Sequence, residues 1–328
     1  MSAMRKSLSI FCILAASVVQ AQDAQLGTSK PDTVPIKLNT AVTPSAVEII
    51  DRSLSKYRDN LTVQRNYLFR QREVSRQLDK DGNVKKTEIR TYEVSMPCGI
   101  ADDWYEKLVA KEDKPLSESD QKKQNEKLDK YCAEQKKHHE EYQRELDKWK
   151  QKHANDGQQP PLSKDERDER EIADGIKKVY DFHLEGEDQI DGREVYVISA
   201  EPRPAYKPDK RWEHLLAKMR GKLWIDAADF QIVKAEADLF DDFHVGLFLF
   251  KLNKGAHFEF EQTRINQETW LPSREFLKGS GKVAFFTGRF QQNTTYSDYQ
   301  KFRTDTKITG IVSDTVNTDA SHQAGRQH

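Results

Sequence analysis

The chain has 328 residues, with 53 Lys and Arg against 54 Asp and Glu, for a net charge of −1. A balance this close exerts no electrostatic pull on nucleic acid, so no nucleic acid partner is expected. Charged residues make up 33% of the chain and apolar ones only 36%, so much of it must be solvated surface, and the length alone allows about two domains.

Residues 1–21 place Arg5 and Lys6 ahead of an apolar run from Leu8 to Val19, closed by Val19-Gln20-Ala21. A positive region, an apolar core and a small-residue cleavage site make a signal peptide. The run is shorter than the about 20 residues that a membrane span needs; an uncleaved anchor is the alternative. Cys12 lies inside the run without the small residues that precede a lipid-modified cysteine. The expected location is the bacterial periplasm. Cleavage leaves Cys98 and Cys132, and an oxidising compartment permits a disulfide between them. Two separate thiols are the other possibility.

Residues 22–42 and 313–328 are polar and poor in apolar side chains, and read as a disordered linker and tail. Between them, 43–312 reads as one folded unit. A helix is predicted over 43–59, capped by Thr43 before Pro44 or by Ser45 paired with Glu48, with Val47, Ile50, Leu54 and Tyr57 on one face. A hairpin follows: strands over 64–77 and 84–96 joined by the turn cluster Asp79-Lys80-Asp81-Gly82-Asn83. Residues 117–152 are mostly Lys, Glu, Gln and Asp. With Ser117 and Asp120 as a capping pair they predict a helix of roughly 50 Å, whose few apolar residues include Leu128, Tyr131, Tyr142, Leu146 and Trp149. After Asn155-Asp156-Gly157 and Pro160-Pro161, Ser163 starts a second helix over 164–178. The stretch 115–178 reads as a charged helical arm inserted into a β domain, serving either as a partner-binding device or as a solvated excursion.

From 179 onward the pattern is strands joined by short turns, interrupted by one short helix near Trp212–Met219. The predicted turns include Gly279-Ser280-Gly281 and Gln292-Asn293. Consecutive strands with short turns form an antiparallel meander, and with the first hairpin there are about eleven strands. A sheet of that size twists and curls, and the helix at 43–59 is the obvious filler of its concave face. Surplus apolar surface there would line a pocket. Candidate lining residues are Tyr67, Phe69, Phe182, Trp224, Phe248, Phe250, Phe258, Phe260 and Phe285, each of which fits an ordinary core equally well.

Catalytic patterns are missing. There is no Gly-x-Ser-x-Gly elbow and no phosphate loop. Gly279-x-Gly281-x-x-Ala284 falls between strands rather than opening a helix, so it is no dinucleotide fingerprint. His138-His139-Glu140-Glu141 lacks the spacing that brings two imidazoles onto one helix face. No catalytic residue, metal or cofactor is expected.

Three segments carry a family resemblance: Gly221-Lys222-Leu223-Trp224-Ile225-Asp226, then Ile232-Val233-Lys234-Ala235-Glu236, then Thr269-Trp270-Leu271-Pro272. Their order, behind a single helix and a hairpin, resembles the periplasmic outer-membrane lipoprotein-sorting (lipoprotein carrier) superfamily over residues 43–100 and 179–305. The resemblance implies an α+β, mainly antiparallel fold: an incomplete, half-open barrel wrapped on the N-terminal helix around an apolar cavity. It implies a non-enzymatic carrier of lipid or acylated protein, with a membrane-associated protein as a further partner. It also implies a cavity arginine, for which Arg70 and Arg72 are the candidates. A protein-binding or envelope-stress sensor module using the arm is the alternative, and an unrecognised hydrolase is a third reading.

Overall fold

The computed structural model describes residues 43–99, 104–153, 158–245, 250–283 and 286–301. The predicted leader, linker and tail lie outside them. The first helix, α1, spans Ala46–Gln64. It starts at the later of the two candidate caps, with the Ser45 side chain accepting a hydrogen bond from the Glu48 amide at 3.2 Å. The hairpin follows as β1 (Tyr67–Leu78) and β2 (Val84–Ser95). Asp79 Oδ1 accepts from the amides of Asp81 and Asn83 and closes its turn.

Then come β3 (Tyr105–Lys111), β4 (Lys114–Pro115), α2 (Glu118–Lys152) and α3 (Lys164–Val179). The second half holds β5 (Tyr180–Ile190), β6 (Arg193–Pro202), α4 (Arg211–Leu216), β7 (Met219–Asp226), β8 (Ile232–Leu239), β9 (Phe243–Val245), β10 (Phe250–Leu252), β11 (His257–Ile265), β12 (Thr269–Val283) and β13 (Phe286–Lys301). The caps read from the sequence hold: Ser117 accepts from Asp120, and Ser163 forms a reciprocal capping box with Glu166.

All strands join one sheet in the order β4-β3-β2-β1-β13-β12-β11-β8-β7-β6-β5, with β10 pairing β12 and β9 pairing β10. Every pairing is antiparallel, and the last strand lies beside the first, so β13 welds the N-terminal hairpin to the meander. The ends, β4 and β5, do not meet, leaving a curled, half-open sheet with α1 on one face.

Among the described residues there are thirteen strands rather than about eleven. β3, β4 and β9 were not predicted. In contrast, the stretches expected as two strands around Gln292-Asn293 form one continuous β13, and Gly279-Ser280-Gly281 lies inside β12 instead of turning the chain. Gly281 is there for a different reason. Its φ is +156°, and a Cβ at that position would sit 2.0 Å from the carbonyl oxygen of Lys251. The glycine lets the backbone of β10 pair closely with β12.

The main core lies between α1 and the sheet. Ala46, Ile49 and Ile50 meet Ile198, Leu223, Ile225, Ala235, Leu239 and Phe258. Full burial of each larger aliphatic side chain stabilises by about 1.5–3 kcal/mol. A second cluster seats α3 through Ile176 and Val179 against Tyr180 and Leu216. The Trp212 ring rests on Gly175, where an added Cβ would fall 2.0 Å from the indole. The end of the predicted arm therefore belongs to the body of the protein. Only α2 stands apart, with no buried side chain along its 35 residues. It is tied to the sheet by a Cys98–Cys132 disulfide and by Tyr131 on Tyr105, ring centroids 4.8 Å apart. Among the described residues, no helix is long and apolar enough to cross a membrane.

Candidate functional site

Residues directly paired across antiparallel strands point to the same face, so the register gives the composition of the inner face, on which α1 lies. One row runs from β5 to β2 as Leu184, Ile198, Leu223, Ala235, Phe260, Glu275, Thr294, Glu73, Arg90. The next runs as Phe182, Ala200, Gly221, Ala237, Phe258, Leu277, Gln292, Ser75, Glu88. The first row changes character at β12, with Glu275, and the second at β13, with Gln292, since Leu277 of β12 is apolar. Along these two rows the face is apolar from β5 to β11 and polar from β13 to β2, while further along β1 and β2 it carries the buried Phe69, Tyr92 and Val94.

The apolar half has a floor of small residues: Ala200, Gly221 and Ala237 stand between Phe182 and Phe258. The first half of α1 lies over this half through Ala46, Ile49 and Ile50. The second half is fastened by buried hydrogen bonds. Asn60 Oδ1 accepts from Thr269 Oγ1 at 2.7 Å and from the Trp270 amide at 3.0 Å, while its Nδ2 donates to the Trp270 carbonyl at 3.0 Å. Gln64 Nε2 donates to that same carbonyl, and Gln231 Nε2 to the carbonyl of Lys56. The helix is thus pinned by buried hydrogen bonds at its C-terminal end, while its N-terminal end packs by apolar contact and carries an exposed ion pair from Asp51 to Lys177 of α3 at 3.1 Å.

The polar half is laced together by side chains. Ser75 Oγ donates to Gln292 Oε1, and Gln292 Nε2 to Thr294 Oγ1, both at 3.4 Å. Tyr296 donates to Glu275 at 2.8 Å. Lys86 and Arg90 both reach Glu88 at 2.7 Å and hold its carboxyl below the ordinary range. Thr294 and Gln71 are buried.

Of the predicted lining residues, Phe182, Phe258 and Phe260 come together on the apolar half. Tyr67 and Phe69 sit in a different cluster, with Tyr92, Val94 and Leu271. The Tyr67 hydroxyl bonds Glu268 and accepts from Asn266, and burial together with Glu268 pushes it up to about 12. Trp224 belongs to a third cluster with Val195, Val233 and Trp270, and Lys234 Nζ lies 4.7 Å from its ring centroid. It alternates with Leu223 and Ile225 and so points away from α1. Phe250 is described only as a backbone position in β10, and Phe248 and Phe285 lie outside the described residues. Arg70 and Arg72 pair with Asp298 and Asp113 and alternate with Gln71 and Glu73, which places them on the outer face. The guanidinium on the inner rows is Arg90. Neither Arg90 nor the pair Glu73 and Glu275 was singled out in the sequence, because nothing local marks which strands lie side by side.

The segments that carry the family resemblance meet at one point. Asp226, 1% exposed, accepts from the amides of Ala228 and Asp229 and takes two bonds from Arg193, at 2.5 and 2.8 Å. Asp229 accepts from Arg193 and from the Trp270 indole at 3.0 Å. Burial pulls the Asp226 carboxyl upward, but Arg193 and the turn amides outweigh it and hold it below the ordinary range. This cluster locks β6, β7 and β12 together. Among the described residues no group of His, Cys, Asp and Glu is arranged to hold a metal.

No protein-family model matches the chain, and no curated protein matches it. Solved structures that resemble it include a LolA superfamily protein of Nitrosomonas europaea, at 11% identity and TM-score 0.31, covering 80% of this chain and 94% of that one. An outer membrane lipoprotein-sorting protein domain of Vibrio parahaemolyticus matches at 10% identity and TM-score 0.33, covering 79% and 95%. A DUF1329 family protein of Desulfovibrio piger matches at 12% and 0.31, covering 81% and 96%. At such identities and TM-scores the likeness concerns the outline of the architecture and nothing finer.

Proposed function

We propose that this chain is a non-enzymatic periplasmic carrier that holds the acyl chain of a lipid or acylated protein on the apolar half of the inner face. The observation that supports this reading most is the uneven seating of α1. Its N-terminal half rests on the sheet through apolar contacts, while its buried polar anchors are all near Lys56, Asn60 and Gln64. An acyl chain gains about 0.8 kcal/mol per buried methylene and can replace Ile49 and Ile50 without stranding a polar group. Loading is then a pivot of α1 about its pinned end, with no covalent step. The periplasmic location rests on the leader-like N-terminus. The test is an organic extract of the purified protein read by mass spectrometry, together with uptake of a fluorescent fatty acyl probe. Bound lipid and saturable uptake are expected; absence of both overturns the reading.

A second reading has its own support. An exposed 35-residue helix tethered by a disulfide is held out from the body, as a protein-docking arm would be. Deleting residues 117–160 in a Cys98→Ser background should then leave the sheet folded and abolish capture of a partner. Retention of the partner removes this role from the arm.

A further inference from the structure

We infer that the end of the sheet where β2, β1, β13, β12 and β10 stop side by side is a docking edge for an anionic membrane surface. The inference goes beyond the carrier reading, since it concerns where the chain meets a bilayer and not what it holds. Pairing puts Val84, Leu78, Arg289 and Ser280 at one level near this end, with Lys282 two residues beyond. The segments that reach the edge are basic. Lys278–Arg289 holds three cations and Lys251–Lys254 two, with no acid in either, in a chain whose net charge is −1. The acids at this end are mostly engaged. Asp242 pairs with Lys251, Glu88 with Lys86, and Asp79 accepts the amides of Asp81 and Asn83. Lys80, Lys85, Lys278 and Lys282 are exposed and, among the described residues, make no ion pair.

Lys282 stands directly opposite Lys251 across the β10–β12 pair, and His244 stands opposite Lys251 on its other side. Like charges directly opposed in a sheet are destabilising. Among the described residues Asp242, 3.2 Å from Lys251 Nζ, is what offsets them, and a phosphate-bearing surface would relieve Lys282 as well. Apolar positions sit beside these cations. Val84 is 54% exposed, one of two large hydrophobic side chains so exposed among the described residues. Beyond the lysine pair, the next register row holds Val245, Phe250, Val283 and Phe286. An apolar row ahead of a cationic one matches a bilayer interface by depth, acyl region first and phosphates behind. The edge also lies at the movable end of α1. That helix is pinned at the far end of β12, on Trp270. Its apolar half shares a cluster with Phe243 and Leu252, which are paired one row behind the lysines.

The experiment is co-flotation of the purified protein with vesicles of phosphatidylcholine alone or of phosphatidylcholine mixed with phosphatidylglycerol. Binding to the mixed vesicles should be about tenfold tighter and should fall as salt is raised. The variant K85E/K282E, changed at two exposed positions, should bind the mixed vesicles about tenfold more weakly. Its urea midpoint and its uptake of the fluorescent acyl probe in solution should stay as in the wild type. Equal binding of the wild type to both vesicle types overturns the docking inference, and this comparison needs no variant to fold. Binding to neither, the result a protein partner at this edge would give, also overturns it, as does undiminished binding of K85E/K282E to the mixed vesicles. Each of these leaves the carrier reading standing. Failure of the wild type to hold lipid or take up the probe, with the vesicle preference and its loss in K85E/K282E intact, overturns the carrier reading and upholds the docking edge.

Discussion

The two halves of the inner face are built from the same antiparallel strands with the same alternation, yet they solve different problems. Between β5 and β11, each inward position is an aliphatic, aromatic or small residue, and the face is completed by a helix. Between β12 and β2, the same rows are mostly polar, with side-chain hydrogen bonds from Ser75 to Gln292 and from Tyr296 to Glu275 across the strands, while Phe69, Tyr92 and Val94 form a separate buried cluster further along. Alternation decides which residues point inward; register decides what each half of the face becomes. The first is a property of each strand, and the second belongs to the assembled sheet.

The most damaging change to this arrangement should be at the point where the halves are locked together. Asp226→Ala leaves the Arg193 guanidinium without its bidentate partner and frees the turn amides of Ala228 and Asp229. A loss of about 3–4 kcal/mol is expected, read from urea midpoints. The sign with pH follows from the depressed carboxyl. Asp226 contributes stability above its unfolded value of about 3.9, and that contribution disappears as pH falls through the lower folded value. The gap between wild type and Asp226→Ala should therefore be widest at pH 7 and shrink at strongly acid pH. A gap that grows on acidification would contradict the assignment.

Within the apolar half, Leu223→Ala should cost about 3 kcal/mol, since a fully buried side chain leaves a cavity under α1. Asn60→Ala should cost about 2 kcal/mol, because it leaves the buried Thr269 hydroxyl and the Trp270 amide unsatisfied. It should also loosen the pinned end of the helix, seen as faster amide exchange in α1. Ser75→Ala, in the polar half, removes one long hydrogen bond and should stay within about 0.5 kcal/mol. If Ser75→Ala proves as costly as Leu223→Ala, the halves do not differ in the way described.

Much of the fold was legible in the sequence. Ser117 and Ser163 marked two helix starts and Ser45 was one of two candidates for the first, because a cap is a local hydrogen bond between a side chain and an amide a few residues on. The hairpin around Asp79–Asn83 was legible for the same reason. The strands at 105–111 and 114–115 were not, since Tyr105–Lys111 mixes Glu and Lys with few apolar residues and is held by pairing with β2. Gly279 and Gly281 misled because a glycine needed for close backbone approach looks in sequence like one needed for a turn. The site was half legible. Of the candidate lining residues, alternation put Phe182, Phe258 and Phe260 on the face that α1 covers. Trp224 alternates just as well but points the other way, and the polar row through Glu73, Thr294 and Glu275 exists only once β13 lies between β1 and β12.

The most direct test of the central claim uses a long-chain fatty acid carrying a diazirine near its terminal methyl group, photolysed with the protein and mapped by peptide mass spectrometry. Acyl storage on the apolar half predicts labelling of α1 between Ala46 and Leu54 and of β5 to β8 around Phe182, Ile198 and Leu223. Labelling confined to α2, or spread over the surface without saturation, would contradict it.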